Sequence, residues 1–168
     1  MADYPLISHR SADDVLAWQH GKSIVVRQFL RDVHRLASAL PTGSYLVNAC
    51  SDRYHFTVGL GAALLRQKIS LLPPTHTPEM IGQLRAIRPD VFCLFDAPHQ
   101  IDLPGFAYQD AFQDGFARPL LHAIPQDAGR HDASQQEWFE IPKFPGNQPV
   151  ADVFTSGSTG LPQAHRKT

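Results

Sequence analysis

At 168 residues, 43% of them hydrophobic and 18% charged, the chain is long enough to bury one sizeable core, and a single domain is the default expectation. Fifteen basic residues against sixteen acidic ones leave a formal net charge of −1, so no overall field recruits nucleic acid or an anionic membrane surface. No eighteen apolar residues run together, and the opening MADYPLISHRSADD has acidic residues where a signal peptide has an apolar stretch; neither a membrane span nor a secretory signal is expected, and the cytoplasm is the expected location.

From Ser23 to Val26 a β-branched run leads into RQFLRDVHRLASAL, where Phe29, Leu30, Val33, Leu36, Ala37 and Leu40 recur at helical spacing. This predicts an amphipathic helix over Arg27 to Leu40, ended by Pro41, Thr42 and Gly43. Tyr45 to Ala49 has the length and apolarity of a strand, and Ser51 and Asp52 turn the chain. A second helix follows from Arg53 to about Arg66, with Phe56, Leu60, Ala63 and Leu64 as its expected buried stripe. Ile69 to Leu72 reads as a buried strand closed by Pro73 and Pro74. Thr77 is placed to cap a third helix with Pro78 at its first position, Met80, Ile81, Leu84 and Ile87 inside and Pro89 beyond its end. Val91 to Phe95 is the next strand. Short apolar strands alternating with amphipathic helices predict an α/β fold, a parallel sheet flanked by helices.

Residues 96–149 break the pattern. Pro, Gly, Gln, Asp and His are frequent there, with short aromatic islands at Phe106 to Tyr108 and Trp138 to Phe139, and an irregular Pro/Gly-rich connection with short elements packed on the sheet is expected. Strand character returns at Val150 to Thr155. Cys50 and Cys93 each belong to an apolar run and there is no C-x-x-C, so both are expected to be buried, reduced and structural.

Directly after that last strand comes Thr155-Ser-Gly-Ser-Thr-Gly160, then Leu161-Pro162. Gly157 and Gly160 permit positive φ and let backbone N–H groups converge on an anion; Thr155, Ser156, Ser158 and Thr159 add four hydroxyl donors. The order is not the Walker type, because Leu161 and Pro162 follow Gly160 where Lys and a helix would stand. By composition alone a Ser/Thr/Gly cluster is more often a flexible surface loop than a phosphate site.

The stretch from Val153 to Pro162 resembles the signature of the acyl-CoA synthetase, peptide-synthetase adenylation domain and luciferase superfamily, an aromatic residue followed by Thr-Ser-Gly-(Ser/Thr)-Thr-Gly-x-Pro-Lys-Gly. The element order from Lys22 onward, including ISLLPPTHTPEMIGQL and PDVFCLFD, is also similar to the front of those enzymes. Gln163 and Ala164 depart from the family's Lys and Gly, so the usual cation beside the ATP phosphates is missing; Lys167 or Arg166 is the candidate replacement. The ending Pro-Gln-x-His-Arg-Lys-Thr resembles a smaller branch, the AMP ligases of aryl-polyene and xanthomonadin pigment pathways, which activate an aromatic acid such as 4-hydroxybenzoate.

The resemblance implies ATP and Mg²⁺ as cofactors, a small carboxylic acid as substrate, and CoA or an acyl carrier protein as thiol acceptor. It implies that Thr155, Ser156, Gly157, Ser158, Thr159, Gly160 and Lys167 bind the ATP phosphates. It also implies that residues 1–168 are the N-terminal portion of an AMP-binding domain, with the metal ligand, the ribose-binding aspartate, the acid pocket and the catalytic lysine in later sequence, so the chain alone is expected to be inactive. The competing expectation is a stand-alone, non-catalytic α/β module that binds a nucleotide or a partner.

Other chemistries fit the residues less well. The nine histidines show no i, i+4 pair and no Cys partner at ligand spacing, so zinc is not expected; His55 reads as a packing or capping residue and His165 as a solvated one. Arg53 and Arg66 bracket a helix and are given no function. A hydrolase elbow fails because Ser156 occupies the position where Ser158 would need a glycine.

Overall fold

A computed structural model describes residues 2–113, 140–156 and 162–168. Its centre is a six-stranded sheet in the order β10-β9-β5-β4-β6-β7, formed by β4 (Tyr45–Asn48), β5 (Ile69–Leu72), β6 (Val91–Phe95), β7 (Gly105–Ala107), β9 (Ala151–Ser156) and β10 (Pro162–Lys167). Five strands run parallel; β10 turns back antiparallel to β9 at one edge. Two small antiparallel pairs lie outside this sheet, β1 (Asp3–Pro5) with β8 (Lys143–Pro145) and β2 (Val15–Gln19) with β3 (Lys22–Val25). The β2–β3 turn at His20 and Gly21 has positive φ at both residues, 49° and 77°, which suits a tight hairpin.

Three helices cover the sheet: α1 (Val26–Ala39), α2 (Arg53–Leu65) and α3 (Pro78–Ile87). Alternation along the strands divides the core between the two faces. Leu46, Phe92 and Leu94 pack with α1 and α2, whereas Val47, Leu71, Val91, Cys93 and Phe154 pack with Ile81 and Leu84 of α3. The stripe expected on the first helix, from Phe29 to Leu40, is buried in full.

Two burial expectations are corrected. On α2 the fully buried side is Val58, Gly59, Gly61, Ala62 and Ala63, while Phe56, Leu60 and Leu64 are only partly covered. The helix lies so close to its neighbours that its smallest residues must face them: a Cβ on Gly61 would sit 2.9 Å from Val33 Cγ2, and one on Gly59 would sit 2.5 Å from Asn48 Nδ2. Ile87, expected inside α3, is 43% exposed, because it ends the helix beyond the turn that Ile81 and Leu84 bury.

Within residues 96–149 the described part adds β7, a 3-10 helix over Tyr108–Phe112 and β8. β7 extends the sheet parallel to β6, with Leu94 opposite Phe106. Among the described residues, no helix is long and apolar enough to cross a membrane.

Candidate functional site

β4 leads through α2 to β5 on one side of itself, and the chain then crosses through α3 to β6 on the other side, so the sheet changes winding direction between β4 and β6. In open parallel sheets, ligands bind beyond the carboxyl ends of the strands, and such reversals are favoured places. β9 runs parallel to β5, so Thr155 and Ser156 also stand at this carboxyl edge, where the Ser/Thr/Gly segment leaves the sheet.

Thr155 is exposed and faces Gln163 in the β9–β10 register; its Oγ1 is 3.4 Å from His165 Nε2. Ser156 ends β9 opposite Pro162. Gly157, Ser158, Thr159 and Gly160 lie outside the described residues. Lys167 is exposed, stands opposite Ala151, and accepts a hydrogen bond at its carbonyl from the Val150 N–H (2.9 Å). Five residue-to-residue steps of extended strand lead to it from Pro162, roughly 17 Å at about 3.4 Å per step. The described strands therefore bring Thr155 to His165 and hold Lys167 at the opposite end of the hairpin.

Arg166, the other candidate replacement for the missing lysine, is engaged elsewhere. Its Nε and Nη2 donate to Asp152 Oδ1 and Oδ2 at 2.8 and 3.0 Å, a two-pronged pair with a carboxylate that is 1% exposed. Arg88 Nη2 approaches the same carboxylate at 3.6 Å. The hydrogen bond from Arg166 holds the Asp152 carboxyl below the usual range, against the upward push of burial. Asp152 is the one charged residue in the run from Val150 to Phe154, and pairing that run with residues 162–167 as a hairpin would have exposed its partner.

A second polar centre, not anticipated from the sequence, occupies the winding reversal. Asp96, just past β6, accepts from Ser51 N (2.8 Å), Ser51 Oγ (3.0 Å) and Asp52 N (2.9 Å), and pairs with His55 Nδ1 at 2.9 Å. Burial raises its pKa, but these bonds together outweigh burial and bring it down to about 2. His55 stacks on Tyr108 with ring centroids 4.0 Å apart, consistent with the packing role expected for it. Asp52 caps α2, accepting from Tyr54 N and His55 N at 2.8 and 3.0 Å and from Gln19 Nε2 at 3.0 Å. The partners of Asp96 lie 41 to 45 residues away, so no local pattern announces the cluster.

Cys50 and Cys93 are free and buried, and burial pushes both thiols up to about 12. Among the described residues, no three His, Cys, Asp or Glu side chains converge as a metal site.

No protein-family model matches the chain, and no curated protein sequence matches it. Solved structures do. The N-terminal subdomain of Klebsiella oxytoca NpsA in complex with 3-hydroxybenzoyl-AMSN superposes with a TM-score of 0.61 at 16% identity, over 92% of this chain and 36% of that one. O-succinylbenzoate coenzyme A synthetase (MenE) from Bacillus subtilis, in complex with AMP, gives 0.60 at 13% identity, over 89% and 37%. The fold is similar to part of the NpsA N-terminal subdomain and part of MenE. A fused adenylation and carrier di-domain, Klebsiella oxytoca NpsA-ThdA, matches at 0.54 and 15% identity, over 86% and 27%. The chain thus spans about a third of the length of the structures it resembles. At these identities the likeness establishes the α/β architecture, and the chemistry has to be argued from the residues.

Proposed function

We propose that this chain is the N-terminal part of an ATP-dependent, adenylate-forming ligase, with residues 155–160 as its phosphate-binding loop. The observation that carries the reading is the place of the segment: Thr155 and Ser156 end a parallel strand at the carboxyl edge of the sheet, and the strand after the segment returns beside them. A Gly- and hydroxyl-rich stretch at that edge supplies phosphate donors where α/β sheets bind ligands.

In the reaction proposed, a carboxylate oxygen attacks the α-phosphorus of ATP and pyrophosphate leaves; the thiol of CoA or a carrier protein then attacks the acyl carbon of the adenylate, forming a thioester and releasing AMP. The work assigned to this chain is to hold the β and γ phosphates, through N–H groups at Gly157 and Gly160 and hydroxyls at Thr155, Ser156, Ser158 and Thr159. Such fixed donors stabilise charge as it builds on the leaving group. Mg²⁺ would enter with the ATP phosphates. Lys167 is the proposed cation for the position lost at Gln163; it stands on β10 opposite Ala151.

An aromatic acid is the proposed substrate class, with 4-hydroxybenzoate the specific candidate from the pigment-pathway resemblance. Two of the similar proteins support this class: NpsA, whose subdomain was solved with 3-hydroxybenzoyl-AMSN, and MenE, which is named for o-succinylbenzoate and was solved with AMP. ATP–pyrophosphate exchange by the longest natural form should appear with 4-hydroxybenzoate and be weaker with fatty acids; no exchange with any carboxylic acid would defeat the reading. Calorimetry with ATP should show loss of binding in Gly157→Asp, which adds bulk and negative charge to the loop. Unchanged affinity there would remove the phosphate assignment.

A further inference from the structure

The hairpin that carries the 157–161 segment is held at its edge by a feature that a simple β-ladder does not need. Among the described strands β10 is the outermost, paired on one side only, and its side chains from Gln163 to Thr168 are solvent-exposed as a row. Strands of this kind slip in register easily, because little apolar packing distinguishes one pairing from another. Here Arg166 stands directly opposite Asp152, and the two-pronged bond joins them across the ladder. Arg88, the residue just past α3, reaches the same carboxylate and lies over the Tyr45 ring of β4, 4.7 Å from its centroid. One buried carboxylate therefore ties the edge strand, the end of α3 and the central strand together.

We propose that Asp152, acting through Arg166 and Arg88, is a positioning residue that fixes the register of the β9–β10 hairpin and with it the pairing of Ser156 with Pro162, the two ends from which the proposed nucleotide loop starts and returns. The inference rests on the phosphate-loop reading above. Its physical content is a penalty on alternatives. A slip of two residues would set Asp152 opposite Ala164 or Thr168 and strip the buried carboxylate of its two-pronged partner, leaving it the longer 3.6 Å approach of Arg88; a slip of one would turn Arg166 to the other face. Both slips also change the number of residues left to close the loop between Ser156 and Pro162. A well-packed apolar pair could hold the strand as firmly, but it would tolerate displacement better than a buried ion pair does.

The test uses the longest natural form with Asp152→Asn, Arg166→Met, Arg88→Met and the conservative Arg166→Lys. Pyrophosphate exchange should show KM for ATP raised about tenfold in Asp152→Asn and Arg166→Met, with kcat changed less than twofold, and partial recovery in Arg166→Lys. Hydrogen exchange should show protection lost in β9 and β10 and kept in β4 and β6. An unchanged KM for ATP in folded Asp152→Asn and Arg166→Met, or protection lost evenly over the sheet, overturns the inference while leaving the loop assignment intact. Wild-type protein that binds no ATP overturns both. Should Asp152→Asn fail to fold, Arg166→Lys and Arg88→Met, altered at partly exposed side chains, carry the same two readouts.

Discussion

Asp96 Oδ2 lies 2.9 Å from His55 Nδ1, which fastens the residue after β6 to the first turn of α2. The same carboxylate takes both N–H groups of the Ser51–Asp52 turn after β4, so one side chain, 4% exposed, closes the reversal point of the sheet. Its folded pKa, about 2, is below the 3.8 of the free carboxyl. The stabilisation is therefore full above about pH 4 and is lost as the pH falls toward 2. The shift corresponds to roughly 2 kcal/mol. Asp96→Asn should lose about that much by urea denaturation at pH 7, and the gap from wild type should close near pH 2. An equal gap at both pH values would show that charge is not what the site uses.

The two capped helices give a ranked prediction. Asp52 accepts two N–H groups of α2 and the Gln19 amide, all within 3.0 Å, whereas Thr77 accepts only Met80 N, at 3.4 Å. Replacing a cap by alanine costs about 0.5–2 kcal/mol. Asp52→Ala belongs at the upper end of that range and Thr77→Ala at the lower. Chemical denaturation of the two variants should reproduce this order, and the reverse order would contradict the hydrogen-bond geometry.

What could be read in the sequence was what repeats locally. The first helix and the strands at Tyr45, Ile69 and Val91 each have an apolar pattern that one face of a helix or sheet must bury, and the structure places them accordingly. β2 carries exposed Val15 and Trp18, so burial leaves little periodic mark on it. On α2 the expected stripe caught buried Ala63 but passed over Gly59, Gly61 and Ala62, because such small residues register weakly as apolar although their size is what lets the helix approach. At the candidate site Thr155 was legible as a strand-end hydroxyl. The Asp96 cluster follows from no local pattern, since its side chains meet only after the sheet has formed, whereas the Asp152–Arg166 pair needed the β9–β10 hairpin register to be drawn first.

The thiols offer a third measurement. With pKa values of about 12, Cys50 and Cys93 would be ionised to only ~10⁻⁴ at pH 8, and only the thiolate reacts readily with disulfide reagents or maleimides. Both should resist labelling in native protein and react fully in guanidinium chloride. Rapid native labelling of either would contradict its burial.

Three glycines should respond to the same substitution with different signs. Alanine in place of an interior helical glycine gains up to about 1 kcal/mol from helix propensity when nothing obstructs the new methyl group. At Gly82 in α3 nothing lies within 4 Å, so Gly82→Ala should stabilise the protein by about that amount. At Gly61 the new Cβ would stand 2.9 and 3.2 Å from the two methyls of Val33, a β-branched side chain that is fully buried on α1 and has few rotamers to retreat into. Overpacking of this kind costs about 1–3 kcal/mol, more than the propensity gain, so Gly61→Ala should destabilise. Gly59→Ala should do so more severely, because its Cβ displaces the Asn48 amide that donates to the Phe56 carbonyl at 2.9 Å. Urea denaturation of the three variants decides the matter: stabilisation at all three positions would mean that α2 stands farther from α1 and the sheet than these contacts require.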